Sequence, residues 1–384
     1  MSAVATADSR ELRGAMVDEL KRRGVVLRPQ IEEAFRKIPR EAFLPGVALE
    51  RIYSGDAIIT KQDDEGRPIS SSSEVGIMMA MAQLLDVDPG HRILEIGAGT
   101  GYNAALLSEL VGERGAVTTI DIDAEIAAQA RENLAAAGFH RVAVIAGDGW
   151  VVGSSAHASY DRIEVTASVS DLSPSWVAQL ADGGRIVFPF VLQAGMQTVI
   201  GLRKQGAELV STGVTPGGFI NLRGQGSTRH RSRSFDGFDI ELSQELAGVA
   251  DETLAVLLRE PPRFAVAPPL SWEALTLLAL LHGNISVSKR GRMGLTVGIF
   301  DPAGSLALAD LARDSIAGPF SVVISFGSEA ALSRLLSAIE ELRTIRLKDL
   351  QVVARPSGSA APEGDVVLRR ERFTFAFRAA RSAS

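Results

Sequence analysis

The sequence predicts an α/β fold: a mostly parallel, doubly wound sheet with helices on both faces, followed by a C-terminal α/β extension. Three observations carry this. The apolar run Ile93-Leu94-Glu95-Ile96 ends in alternating glycines, Gly97, Gly99 and Gly101, and opens straight into the helical pattern Ala104, Ala105, Leu106, Leu107. Two more strand-like runs, 116–120 and 142–145, flank a helical segment at 124–137. Strands alternating with helices in this way build parallel sheets covered on both faces. The 384 residues, 46% of them hydrophobic, are enough for such a core plus a second region of roughly 150 residues, within normal domain size.

The elements follow in order. Residues 10–24 and 30–37 look helical. Residues 61–73 are polar, contain Gly66 and Pro68, and read as a surface loop ending in Ser70-Ser71-Ser72-Ser73. From 75 to 85 the apolar positions Val75, Met78, Met81, Leu84 and Leu85 recur at helical spacing, so the methionines belong to a core. Asp88-Pro89-Gly90 is a turn. Strands and helices then alternate to about residue 200, with Gly138 stopping the helix at 124–137. The pattern changes near Pro216-Gly217-Gly218, where a Gly- and Arg-rich stretch runs through 217–233. Beyond it, helical segments near 251–259, 271–282 and 329–342 mix with strand-like runs at 295–300, 321–326 and 366–377, and 358–363 reads as an exposed loop. The expected division is 1–215, with N-terminal helices in 1–60 and the sheet core in 75–215, and then 216–384. There are no internal repeats.

Composition excludes several classes. With no cysteine there is no disulfide scaffold, thiolate metal site or cysteine nucleophile. The five histidines, His91, His140, His157, His230 and His282, make no metal-ligand spacing, so no metal is expected. A formal charge of −6 argues against nucleic-acid binding. No run approaches the roughly 18 apolar residues of a membrane span. Asp8, Arg10, Glu11 and Arg13 fall where an export signal would have its apolar core. The expectation is a cytoplasmic enzyme with no membrane or nucleic-acid partner.

The glycine turn is where a nucleotide-like cofactor would sit, on a helix N-terminus. Asp121 ends the next strand about twenty residues past the last glycine, the usual place for a carboxylate that takes ribose hydroxyls, with Ile122 beside it. Asp148 and Gly149, in Gly147-Asp148-Gly149-Trp150, follow the third strand, where Asp148 can meet an adenine amino group. Tyr102 follows the turn and is placed to cover the rest of the cofactor. The spacing is G-x-G-x-G with Glu95 two residues ahead. The dinucleotide form is G-x-G-x-x-G, so a hydride-transferring dehydrogenase is remote. The pattern resembles that of S-adenosylmethionine (SAM) enzymes.

A specific resemblance spans about residues 10–210. Met16-Val17-Asp18-Glu19-Leu20, Gly24, Ile38-Pro39-Arg40-Glu41-Ala42-Phe43-Leu44-Pro45, Tyr53-Ser54-Gly55-Asp56 and Pro68-Ile69-Ser70-Ser71-Ser72-Ser73-Glu74-Val75 come first. After the glycine turn come Ser159-Tyr160-Asp161-Arg162-Ile163-Glu164-Val165-Thr166-Ala167, Trp176-Val177-Ala178-Gln179-Leu180 and Gly183-Gly184-Arg185-Ile186-Val187-Phe188-Pro189. In this order they resemble the protein-L-isoaspartate O-methyltransferase family. The resemblance implies a Rossmann-like SAM-dependent methyltransferase fold and a peptide or protein substrate carrying aspartate or isoaspartate. In the repair enzymes a serine before Gln-Pro or Ala-Pro meets the substrate carboxylate. Counting back from Leu84-Leu85 aligns Ser73 with it, and Glu74-Val75 replaces the pair that follows. The serine run and the long extension resemble a subgroup that methylates a normal aspartate in ribosomally made peptides, including a cyclised precursor peptide. There the ester collapses to an aspartimide.

An ionised carboxylate attacks a sulfonium methyl without a general base, so the enzyme needs mainly to align the reactants. A serine hydroxyl can hold one carboxylate oxygen without removing its charge. Ser73 is the first candidate, with Ser72 and Ser70 behind it; the alternative is a flexible polar loop. Thr166, ending the fourth strand, either lines the pocket or packs as a β-branched strand residue. Arg229, Arg231 and Arg233 are either solvated loop or a dock for acidic peptide, and Arg223-Gly224 lies near the cleft if its segment folds back. Three functions compete: aspartate methylation in a ribosomal peptide, isoaspartate methylation in damaged proteins, and a non-catalytic SAM- and peptide-binding partner.

Overall fold

The computed structural model describes residues 7–25, 27–151, 159–227, 233–235, 238–289, 295–311 and 319–380. The chain divides into two compact units that do not meet at one boundary. Unit 1 takes the described residues up to Pro189, then Val199–Thr212 and Phe219–Ser227. Unit 2 takes Phe190–Thr198, Gly213–Gly218 and the described residues beyond. The boundary expected at 215/216 falls inside the Gly213–Gly218 stretch of unit 2, and the chain passes between the units within three strands, Leu180–Val191, Gln197–Gln205 and Glu208–Pro216.

Unit 1 begins with α1 (Ala7–Arg22), α2 (Pro29–Lys37) and the short α3 (Leu49–Ile52). Ile31, Ala34 and Phe35 form the buried face of α2, at the i, i+3, i+4 spacing of an amphipathic helix. Next come β1 (Ile58–Gln62) and β2 (Pro68–Ser72), an antiparallel pair pairing Ile58 with Ser72 and Ile59 with Ser71. The surface loop expected at 61–73 is therefore a hairpin. Serine is common in turns, so the run concealed it; Ser70 and Ser72 are buried.

Helix α4 (Val75–Leu85) follows, its Val75, Met78, Met81 and Leu85 buried in the core as the periodicity predicts, with Met79 buried beside them. Glu74, which departs from the family's residue, caps this helix: its carboxylate accepts from the N–H groups of Gly76 and Ile77 at 2.8 and 2.7 Å. The alternating elements are β3 (Arg92–Ile96), α5 (Tyr102–Val111), β4 (Ala116–Asp121), α6 (Ala124–Ala136), β5 (Ala143–Ala146), β6 (Tyr160–Val165), α7 (Pro174–Gln179), β7 (Leu180–Val191), β8 (Gln197–Gln205) and β9 (Glu208–Pro216). Neighbouring strands run in the order β9-β8-β7-β6-β3-β4-β5. The pairs β3–β4, β4–β5, β3–β6 and β6–β7 are parallel. From β3 the chain steps outward through β4 to β5, then returns to place β6 on the other side of β3. That reversal opens a crevice at the carboxyl ends of β3 and β6, where such sheets bind ligands.

Unit 2 is richer in strand than the sequence suggests. Its elements are β10 (Arg233–Phe235), β11 (Phe238–Leu242), α8 (Asp251–Leu258), β12 (Arg263–Ala267), α9 (Trp272–Leu281), β13 (Ile285–Lys289), β14 (Leu295–Asp301), β15 (Ser305–Ala309), β16 (Ser321–Gly327), α10 (Ala330–Leu342), β17 (Leu350–Pro356), β18 (Val366–Arg369) and β19 (Phe373–Ala379). Seven strands form a sheet ordered β10-β11-β13-β14-β15-β16-β12, its pairs antiparallel. Its core includes Ile240, Leu254, Leu257, Ile285, Phe300 and Leu306. The three helices fall where expected. The run read as one strand at 366–377 is the pair β18 and β19, antiparallel to each other, with β17 on the other side of β19.

Candidate active site

Strand β3 delivers its last residues into the crevice. Gly97, Gly99 and Gly101 all have positive φ, at 103°, 51° and 87°, which the turn needs and side chains resist. A Cβ on Gly97 would collide with the Thr166 hydroxyl. Thr166 closes over the turn from the end of β6: its hydroxyl bonds the carbonyls of Ile96 and Gly97 at 3.0 and 2.8 Å. It latches the strand end, and its hydroxyl is occupied by backbone. Tyr102 is 1% exposed and its ring packs on Phe35 and Phe43, so the side chain braces α5 from the core and does not line the crevice.

Glu95 also works from behind. It has no accessible surface. Register sets Thr119 of β4 on one side of it and Glu164 of β6 on the other, a polar row across the sheet interior. Asn103, in the first turn of α5, donates from Nδ2 to Glu95 at 2.7 Å and to Glu164 at 2.8 Å. Burial pushes Glu95 up to about 8, opposed by Thr119 and Asn103 and reinforced by Glu164 and Asp121. Burial pushes Glu164 to about 7, opposed by Asn103. The row ties α5 to two strands two residues below the glycine turn.

Asp121 and Asp148 stand at the strand ends. Asp121 is 8% exposed; one oxygen accepts from the Gly99 N–H at 3.2 Å and the other from the Asp123 N–H at 3.0 Å. Burial raises its pKa, opposed by those two N–H groups and by Arg223. Ile122 next to it is 38% exposed, as a residue offering an apolar surface to a ring would be. Asp148 accepts from the Trp150 N–H at 2.9 Å and the Gln225 N–H at 2.8 Å. Gly149 is buried against Ile96, and its carbonyl accepts from Trp176 Nε1 at 2.7 Å.

The segment Phe219–Ser227 does fold back. It pairs along Ser168, which exchanges backbone hydrogen bonds with Ile220 and Leu222. Arg223 then reaches within 3.9 Å of Asp121 and 3.8 Å of Asp123. A Cβ on Gly224 would lie 2.5 Å from Asp148 and 2.7 Å from Ile122, so only glycine allows this approach. Gln225 joins the site through its backbone, which leaves no side-chain signal in the sequence.

The serine run enters from β2. The Ser71 carbonyl lies 3.5 Å from where a Gly99 Cβ would be, so the run borders the turn. Its hydroxyls are not equivalent. Ser70 accepts from the Thr60 hydroxyl at 2.9 Å. Ser72 accepts from Arg40 Nη2 at 3.1 Å and Nε at 3.3 Å. Ser73 is half-buried, and its hydroxyl makes no hydrogen bond among the described residues. Lys61 of β1 bonds Asp123 and Glu125 at 2.8 and 2.7 Å, fastening the hairpin to the start of α6.

Arg229, His230 and Arg231 lie outside the described residues. Arg233 pairs with Asp251 at 3.0 Å and donates to the carbonyls of Val249 and Ala247, so it is committed within unit 2. Among the described residues no cluster of His, Asp and Glu is placed to hold a metal, and no helix is long and apolar enough to cross a membrane.

Comparisons with known proteins point to one family. Residues 11–226 match the model of the protein-L-isoaspartate(D-aspartate) O-methyltransferase family. The protein-L-isoaspartate O-methyltransferase of Methanopyrus kandleri is 40% identical over 181 residues, 47% of this chain and 77% of that relative. That of Ignicoccus hospitalis is 34% identical over 55% of this chain and 97% of its own length. That of Thermotoga maritima is 38% identical over 45% of this chain and 54% of its own length. A solved protein-L-isoaspartate O-methyltransferase matches the fold over 97% of this chain and 100% of its own, with 23% identity and a TM-score of 0.54. A glycine turn backed by buried acids, followed by acids at the next two strand ends, and a family match over more than half the chain lead to one conclusion: this chain belongs to the protein-L-isoaspartate(D-aspartate) O-methyltransferase family, whose members transfer a methyl group from SAM to a carboxylate.

Proposed function

We propose that this chain methylates the free carboxylate of L-isoaspartyl residues in proteins and peptides. The observation that carries the reading is the unengaged Ser73 hydroxyl on a segment bordering the cofactor turn. SAM supplies an electrophilic methyl group when bound. Gly97, Gly99 and Gly101 would let the backbone approach it, Asp121 would take the ribose hydroxyls, and Ile122 and Asp148 would meet the adenine. The segment Arg223–Gln225, which packs on Asp148 and Ile122, would flank that end. Glu95, Tyr102, Gly149 and Thr166 hold these groups in place from behind. The acceptor arrives already ionised, since a carboxylate's unperturbed pKa is about 4. Ser73 donates one hydrogen bond to it and leaves the other oxygen to attack. No base is needed, and alignment can supply about 7–11 kcal/mol of the barrier reduction. Ser70 and Ser72 shape the segment, their hydroxyls being held by Thr60 and Arg40.

Methylation of a normal aspartate in a ribosomal peptide is the second reading, favoured by the serine run and Glu74-Val75. The extension does not favour it, because a solved isoaspartate methyltransferase covers the same length of fold. Two peptides identical except for L-isoaspartyl or L-aspartyl at one position separate the readings. A kcat/KM at least a hundredfold higher for the isoaspartyl peptide is expected; preference for the aspartyl peptide would overturn the proposal.

A further inference from the structure

Arg40 is a buried cation with no ion-pair partner among the described residues. It has no accessible surface, and its hydrogen bonds go to uncharged oxygens of three segments. Nη1 donates to the Ile52 carbonyl at 2.8 Å. Nη2 donates to the carbonyls of Ser73 at 2.8 Å, Asp56 at 3.2 Å and Ser72 at 3.4 Å. Nη2 and Nε share the Ser72 hydroxyl. Among the described residues it forms no ion pair. Tyr102, Glu74 and Tyr53 act on its charge, and of these the Glu74 carboxylate already caps α4 with both oxygens.

Burying a charge without a partner is costly. If the task were only to collect carbonyls, a neutral donor would serve without that cost. A desolvated guanidinium differs from a neutral clamp in one respect: it leaves a positive potential, weakly screened, in the wall on which the serine segment stands. The Ser73 backbone touches it directly, and the Ser73 hydroxyl, like that of Ser71, makes no hydrogen bond among the described residues.

We propose that Arg40 is the positioning residue of the acceptor site. Its fork fixes the backbone of Ser72 and Ser73, and its unneutralised charge draws an ionised acceptor carboxylate to the Ser73 hydroxyl. The inference rests on the reading of Ser73 given above and adds the anion-attracting element that reading lacks. The incoming substrate carboxylate is the missing counter-ion.

The test uses the full chain, SAM and whichever of the two peptides the wild type methylates. S-adenosylhomocysteine affinity by calorimetry reports the cofactor turn separately. Arg40→Met should raise the acceptor KM at least tenfold with S-adenosylhomocysteine affinity within twofold of wild type. Arg40→Lys keeps the charge and loses the fork, so its acceptor KM should stay within about threefold while kcat falls. A folded Arg40→Met with wild-type acceptor KM overturns the proposal. Should Arg40→Met fail to fold, Arg40→Lys decides: a tenfold rise in acceptor KM at unchanged kcat also overturns it. Failure of the underlying reading looks different, because Ser73→Ala would then be fully active. Methylation of neither peptide by wild type would overturn both.

Discussion

Replacing Glu164 by Gln should stabilise the protein at pH 8 far more than at pH 5. Glu95 and Glu164 are fully buried on neighbouring strands, and Asn103 Nδ2 bridges them. Burial holds Glu95 at about 8 and Glu164 at about 7, against an ordinary value of 4.5. The folded protein therefore binds more protons than the unfolded chain between about pH 4.5 and 8, and its stability falls as pH rises through that window. For Glu164 alone the difference between about 7 and 4.5 corresponds to about 3 kcal/mol once ionisation is complete, at about 1.4 kcal/mol for each pH unit. Gln has the same shape, can accept from Asn103 and does not ionise. The advantage of Glu164→Gln should grow by about 2–3 kcal/mol from pH 5 to pH 8. In melting temperature that is about 5–10 °C for a domain of this size. Denaturation of both proteins at pH 5, 6, 7 and 8 measures it. Parallel pH profiles, or a variant less stable than wild type at pH 8, would refute the reasoning that the row carries a proton.

Asp121→Ala should weaken SAM binding by about 1.5–3 kcal/mol, the range for a hydrogen bond to a charged group; unchanged affinity by calorimetry removes Asp121 from the site. Ser73→Ala should slow methyl transfer with cofactor affinity nearly intact, while Ser70→Ala acts mainly on stability, by about 1 kcal/mol; impaired transfer in Ser70→Ala with normal Ser73→Ala would show the register of the run is misread. Because Gly226 packs on the Trp150 ring and Gln225 bonds Asp148, S-adenosylhomocysteine should change tryptophan emission. Trp150→Phe should abolish that change although Trp176 and Trp272 remain, and a persisting signal would separate the segment from the cofactor.

The glycine turn and the strand ends were legible because their signals are local. Gly97, Gly99 and Gly101 are needed for backbone conformation, and the strand ends at Asp121 and Asp148 follow from chain order. What could not be read is what distant segments add. Glu164 looks like a strand residue until register sets it beside Glu95, and Asn103 looks like any helix residue until it bridges them. Arg40 was visible inside Pro39-Arg40-Glu41, but nothing local says that its guanidinium ends on Ser72 and Ser73. The hairpin of β1 and β2 was hidden because serines speak for a loop, and burial of Ser70 and Ser72 by Thr60 and Arg40 depends on residues 10 to 32 positions away. In unit 2 the helices carried periodic patterns, while short antiparallel strands such as β12 and β15 are five residues each, too brief to stand out.

The proposed reaction moves the SAM methyl group to a carboxylate held at Ser73. Its most direct test is incubation of the full chain with trideuteromethyl SAM and an L-isoaspartyl peptide, followed by tandem mass spectrometry. The expected product is one base-labile trideuteromethyl ester on the isoaspartyl carboxylate, strongly reduced in Ser73→Ala. An unlabelled peptide from protein that binds S-adenosylhomocysteine normally, or label on any group other than a carboxylate, would contradict it.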